Sequence, residues 1–299
     1  MKKIPVKQTI TEAYGFAFAG VERVIGVIWL PILIVTVGGY FVSGPYLSAE
    51  AAALDGDISR LGPAMASLFA FEIVSLVMMS VVAVALTREI LSPLNRPLFL
   101  RFSLGSAELR LTGAFVGLIV LMMVFLMVCV VIAVAAGAAL NSVMPPMAGL
   151  SDVQRAMGAG MLIAFCLSPV LIYLFVRLGF LVVPSVVMEG KFGIERSWEL
   201  TKGNFWRIVG IGLAVVLPLL IVTAGIEVVI LGPGYFLHSM DAFGDKAAQA
   251  RQSAEQIRIM ASKLPLLMGL SFVLAPFTYG LAFAAPAFAF RALTGQGQQ

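Results

Sequence analysis

Six long apolar stretches constrain this chain more than anything else in it. They fall at about 24–42, 65–87, 112–139, 160–187, 205–231 and 264–290. A helix rises about 1.5 Å per residue and a bilayer's hydrocarbon core is about 30 Å thick, so roughly 20 apolar residues cross it. Each stretch meets that length. The 299 residues would suffice for two soluble domains, but 60% are hydrophobic, only 12% are charged and the mean hydropathy is +1.00. Soluble domains carry about 25% charged residues. Water is therefore not the solvent of this chain. It reads as one integral membrane domain over 1–299, an all-α bundle of six transmembrane helices.

Charge fixes the expected orientation. With the N-terminus inside, the cytoplasmic segments hold Lys2, Lys3, Lys7, Arg23, Arg88, Arg96, Arg101, Arg110, Lys191, Arg196, Lys202, Arg207 and Arg291. The opposite side holds Arg60, Arg155, Lys246, Arg251, Arg258 and Lys263. Cations near span ends are retained in the cytoplasm, and thirteen against six places both termini there. A bacterial inner membrane is the expected location. About 20 residues of mixed polarity separate Lys2 and Lys3 from the first apolar run, unlike a secretory signal, so the first span reads as retained. The cations are scattered between spans rather than gathered on one face, which argues against nucleic acid as a partner.

The outer connections differ in character. Residues 43–64, with Gly44-Pro45, Asp55-Gly56-Asp57 and Gly62-Pro63, read as turn-rich. Residues 241–262 read as an amphipathic helix outside the membrane or on its surface. Cys129 and Cys166 lie in adjacent antiparallel spans at similar depth and read as buried, reduced side chains.

The chain also resembles itself. Residues 10–28, ITEAYGFAFAGVERVIGVI, align without gaps to 194–212, IERSWELTKGNFWRIVGIG, matching Tyr14 to Trp198 and Arg23 to Arg207; LPILIVT at 30–36 meets LPLLIVT at 217–223 after a short shift. A weaker third copy spans 101–126, with Arg101, Phe102, Glu108 and Arg110. The six spans thus read as three hairpins, each entered through an amphipathic helix on the cytoplasmic surface, aromatic rings at headgroup level and cations toward anionic lipid.

The segment VRLGFLVVPSVVMEGKFGIERSWELTKGNFWR, residues 176–207, resembles the integral membrane domain attached to some glycerophosphoryl diester phosphodiesterases, and the bacterial proteins made of that domain alone. The residues carrying the likeness are Arg177, Pro184, Glu189, Ser197, Trp198, Leu200, Thr201, Gly203 and Trp206. The resemblance implies a six-helix membrane domain concerned with membrane or lipid homeostasis; it does not imply phosphodiesterase activity. A phosphodiesterase barrel needs about 250 residues of its own, and no such segment is free of spans. The one histidine, His238, excludes paired-histidine catalysis and multi-histidine metal sites. No phosphate loop, GxSxG elbow or HExxH element is present. Neither catalysis, a metal nor a cofactor is expected.

Ionisable residues inside spans are costly and mark function by default. Arg177 lies roughly 25 Å along the fourth span, toward the cytoplasmic leaflet, whereas Glu72 and Glu227 lie in the outer half of the second and fifth. Arg177 is expected to snorkel, to join a polar network with backbone carbonyls or the Glu189 and Glu195 region, or to bind a lipid phosphate through its planar fork. In the last case Ser197, Trp198, Thr201 and Trp206 would complete a headgroup site. Gly280, Ala284 and Ala287 form a stripe of small residues for close helix approach, as do Ala133 and Gly137. Pro169, Pro184, Pro276 and Pro286 suggest kinks or breaks, with Pro184 ending the fourth helix.

The reading is a non-enzymatic membrane protein whose partners are phospholipid and a membrane or cytoplasmic protein. Two rivals remain open: a lipid or small-solute transporter, and a membrane subunit of a separately encoded lipid hydrolase.

Overall fold

A computed structural model describes residues 2–54, 56–92, 104–143, 152–232, 235 and 246–295. The described elements are all helical. α1 (Val6–Tyr14) passes through a π-helical turn (Gly15–Ala19) into α2 (Val21–Leu54). Then come α3 (Leu61–Leu91), α4 (Ser106–Val143), α5 (Asp152–Gly179), the short α6 (Val182–Glu189) and α7 (Ile194–Thr201), α8 (Phe205–Leu231) and α9 (Lys246–Thr294). Val21–Leu54, Leu61–Leu91, Ser106–Ala139, Phe165–Glu189, Phe205–Leu231 and Gln252–Thr294 are long and apolar enough to cross a membrane. The chain is a multi-pass helical membrane protein.

Its packed core lies toward the end that holds both Lys2 and Gly295. On α3 every buried residue except Ala64 falls between Met78 and Leu91, and on α8 only Ile208, Ile211 and Val215 are buried. Ile208 and Ile211 pack with Ala13, Ala17, Ala284, Ala287 and Phe290. Ala83 and Val84 of α3 meet Leu111 and Ala114 of α4 and Val182 and Val186 of α6. Large apolar side chains elsewhere, such as Phe69, Phe165 and Val229, point outward. Lipid tails are as apolar as these side chains, so burial is not what holds the helices together; close contact is. Gly280 shows this, since a Cβ there would stand 3.2 Å from Ala17 Cβ.

The internal repeat survives as geometry. α2 and α8 begin 184 residues apart, at Val21 and Phe205, the same offset as the ungapped alignment. The helical segment before each uses matching inward positions: Ala13 of α1 and Ala17 of the π-helical turn in the first copy, Ser197 and Thr201 of α7 in the second. Yet α1 does not lie free on a lipid surface. Tyr14 reaches α8, Glu12 reaches α9, and Ala13 and Ala17 are fully buried. Of the third copy, Arg101 and Phe102 lie outside the described residues; from Ser106 onward it is one unbroken helix, whose Glu108 accepts the Gly105 N–H (3.0 Å) as half of a capping box.

Four expectations are corrected. The 43–64 connection is mostly helix, because α2 runs through Pro45 to Leu54. Helices in lipid tolerate proline where neighbouring helices pack against the weakened turn, and Gly44, beside Pro45, faces Leu264 of α9. The turn is confined to Gly56 (φ +99°) and the following residues. There Asp57 accepts two hydrogen bonds from Ser59, which hold its carboxyl below the usual aspartate range.

Second, the 241–262 helix is not separate; from Lys246 it continues into the last span. At roughly 1.5 Å per residue this helix is far longer than a bilayer core, and its extension packs along that of α2 through Leu264. Third, Pro184 does not end the fourth helix. The break comes at Phe180–Leu181, and Pro184 sits in the first turn of α6, where a missing N–H costs nothing. Fourth, Cys129 is buried but Cys166 is exposed; both are free thiols.

Candidate functional site

The break after α5 creates the site. Its C-terminal carbonyls lose their intrahelical donors, and a buried orphan carbonyl costs about 1–3 kcal/mol. α7 supplies substitutes. Gly190 (φ +67°) and Gly193 (φ +74°) reverse the chain between α6 and α7, so that α7 folds back against α5. A Cβ at Gly193 would stand 2.9 Å from Val182 O, so this turn needs glycine for space as well as for φ. Ser197 Oγ then donates to Arg177 O (3.0 Å) and accepts the Leu181 N–H (3.2 Å), bridging the break. Thr201 Oγ1 lies 2.8 Å from Ser197 O and 3.3 Å from Arg177 O, as donor to either.

Arg177 itself is 6% exposed. Its Nη2 donates to Trp198 O at 2.9 Å and its Nη1 to the Tyr173 hydroxyl at 3.4 Å. The guanidinium carbon lies 4.1 Å from the Trp198 ring centroid and 5.7 Å from that of Tyr173. Such desolvated cation–π contacts contribute about 2 kcal/mol. No carboxylate pairs with Arg177 among the described residues, and its buried Nε has no partner there. Glu189, an expected partner, binds Arg196 instead (2.9 Å); with Glu199 it holds the Arg196 guanidinium above its already high range.

Of the five residues expected at a headgroup, Arg177, Ser197, Trp198 and Thr201 come together, but the two hydroxyls are turned onto backbone. Trp206 stands outside this group at 80% exposure, linked to it through Phe205, whose ring lies 5.1 Å from those of both Trp206 and Tyr173. Glu72 and Glu227 are exposed on α3 and α8 and belong to no buried network. His238 lies outside the described residues. Among the described residues no cluster of His, Cys, Asp and Glu could hold a metal.

Three clamps escaped sequence reasoning. Buried Asn204 accepts the Ile4 N–H (3.1 Å) and donates to Lys2 O (3.2 Å), and Arg207 donates to Ile4 O (2.7 Å). Arg291 pairs with Glu12 (2.7 Å), and Arg88 with buried Glu108 (3.1 Å). The aligned Arg207 was the one visible hint. No protein-family model, curated protein or solved structure matches the chain.

Proposed function

We propose that this chain is a non-catalytic protein of a bacterial inner membrane that associates with anionic phospholipid at its cytoplasmic end, in membrane or lipid homeostasis or as a scaffold for a protein partner. The observation that carries the reading is Arg177. A buried guanidinium whose Nε is unpaired and which has no carboxylate beside it among the described residues is a cation still lacking an anion there, and a phosphate supplies one. Trp206, exposed two residues beyond Asn204 at the start of α8, fits headgroup depth, where tryptophan is enriched. The motif likeness to the phosphodiesterase membrane domain points the same way.

Native mass spectrometry of the wild type, Arg177→Lys and Arg177→Gln tests this. At matched folding stability, the reading expects phosphatidylglycerol retention to fall from wild type to lysine to glutamine. Equal retention by all three leaves Arg177 a purely structural cation.

One observation favours a second reading, a lipid carrier. An apolar cleft of about 540 Å³ opens between α3, α4 and α5, walled by Leu76, Leu118, Met122, Leu126, Leu171 and Phe175. It suits an acyl chain. Transfer of labelled lipid between leaflets of proteoliposomes supports that reading, and transfer equal to protein-free vesicles removes it.

A further inference from the structure

A polar pocket that shares no residue with the Arg177 site lies between α1, with the residues just before it, and the last turns of α9. Its volume is about 420 Å³, and its walls include Lys2, Lys3, Gln8, Glu12 and Arg291, with Phe288 as an apolar side. Three cations thus face one carboxylate, and that carboxylate is already engaged. Arg291 Nη2 donates to Glu12 Oε2 (2.7 Å) and Gln8 Nε2 to Glu12 Oε1 (2.9 Å). The Arg291 guanidinium also lies over the Phe288 ring, 4.7 Å from its centroid. What is left is the pair of ammonium groups on Lys2 and Lys3, for which the described residues offer no carboxylate. α1 has no acidic residue in its first turn to offset them.

Lysines near a chain end ordinarily wave in solvent. These do not have that freedom in the backbone. The Asn204 amide accepts the Ile4 N–H and donates to Lys2 O, the Arg207 guanidinium donates to Ile4 O, and Ile4 is fully buried. Fixing a residue's backbone costs conformational entropy. Here three hydrogen bonds and a buried isoleucine hold the backbone of two lysines that lack a carboxylate among the described residues, beside a third cation. The clamp fixes the backbone that carries Lys2 and Lys3, whose exposed side chains line the pocket and make it a cationic cup.

We propose that this cup binds a phosphate group, carried either by an anionic lipid headgroup or by a small soluble phosphate ester. Lysine ammonium groups act as point charges for phosphate, and Gln8 and the Glu12–Arg291 pair close the polar wall. The proposal rests on the lipid reading above only for the source of the phosphate, not for the pocket's chemistry.

The test uses the full chain in a maltoside detergent. A Lys2→Gln/Lys3→Gln variant is compared with the charge-matched Lys7→Gln/Lys191→Gln, whose lysines lie outside the cup. One arm measures retention of phosphatidylglycerol against phosphatidylcholine by native mass spectrometry; the other measures thermal stabilisation by glycerol 3-phosphate and by inorganic phosphate. Losing two charge-assisted hydrogen bonds weakens binding about tenfold or more, so the cup variant drops by that factor in at least one arm while the control matches wild type. A response in the lipid arm alone assigns a headgroup. A response in the soluble arm alone assigns a free phosphate ester and retains the cup even where the lipid reading fails. Equal loss in the control means diffuse surface charge, and no loss in either arm leaves no site; both overturn the proposal.

Discussion

The Tyr14 hydroxyl donates a 2.8 Å hydrogen bond to the carbonyl of Ala214, four residues before Pro218. In a regular helix residue 218 would supply that carbonyl's N–H, and proline has none. Tyr14 therefore repairs a defect in α8 from another helix, and the repair docks the N-terminal helix onto the bundle. Ser168 does the same locally for Pro169, donating to Phe165 O at 2.7 Å.

This gives a coupled prediction. Tyr14→Phe leaves Ala214 O unpaired at a cost of about 1–3 kcal/mol. Pro218→Ala restores the intrahelical donor, so Tyr14→Phe in that background costs well under half as much. Reversible unfolding in mixed micelles measures the double-mutant cycle; additive costs would refute the repair.

The elbow is tested at Ser197. Ser197→Ala strips a donor from Arg177 O and an acceptor from Leu181 N–H, both buried, and should destabilise by about 1–3 kcal/mol. Ser271→Ala removes a hydroxyl bonded only within its own helix and exposed, and should change stability by under about 0.5 kcal/mol. Indistinguishable unfolding midpoints for the two variants would remove the bridging role.

Much of this was legible in the sequence, for a physical reason. Bilayer thickness dictates span length, so spans near 65–87 and 205–231 are readable from apolar runs alone and fall within Leu61–Leu91 and Phe205–Leu231, and the 184-residue offset of the repeat recurs between the starts of α2 and α8. What could not be read is where a carbonyl loses its partner. Pro218 is visible as a letter, but Tyr14 as its remedy is a contact across 200 positions. For the same reason Ser197 and Thr201 looked like ligand donors, when the break at Phe180–Leu181 had already claimed them. Turn signals at Gly44-Pro45 misled because packing along α9 overrode local preference.

Glycines divide by what surrounds them. Gly38→Ala places its Cβ 2.5 Å from the Phe71 ring and Gly280→Ala sets one 3.2 Å from Ala17 Cβ, whereas Gly212→Ala meets nothing within 4 Å. Gly280→Val should cost about 1–3 kcal/mol through overpacking. Gly212→Ala should be neutral or stabilising by up to about 1 kcal/mol, since alanine suits helices better. Thermal unfolding in detergent ranks them, and a Gly212→Ala penalty equal to that of Gly280→Val contradicts the packing account.

Orientation is open to direct labelling. In a chain lacking Cys129 and Cys166, Asp57→Cys should react with an impermeant maleimide in intact cells, and Lys191→Cys only after the inner membrane is permeabilised. The reverse pattern inverts the cytoplasmic assignment of the termini and, with it, the leaflet that Arg177 faces.

The most direct measurement is the depth of Trp206. A variant keeping Trp206 alone, with Trp29→Phe and Trp198→Phe, is reconstituted into phosphatidylglycerol-containing vesicles whose lipids carry bromine at shallow or deep acyl positions. A lipid-contacting elbow at headgroup level predicts strong quenching by shallow bromines and weak quenching by deep ones. Stronger quenching by deep bromines, or none by either, contradicts it.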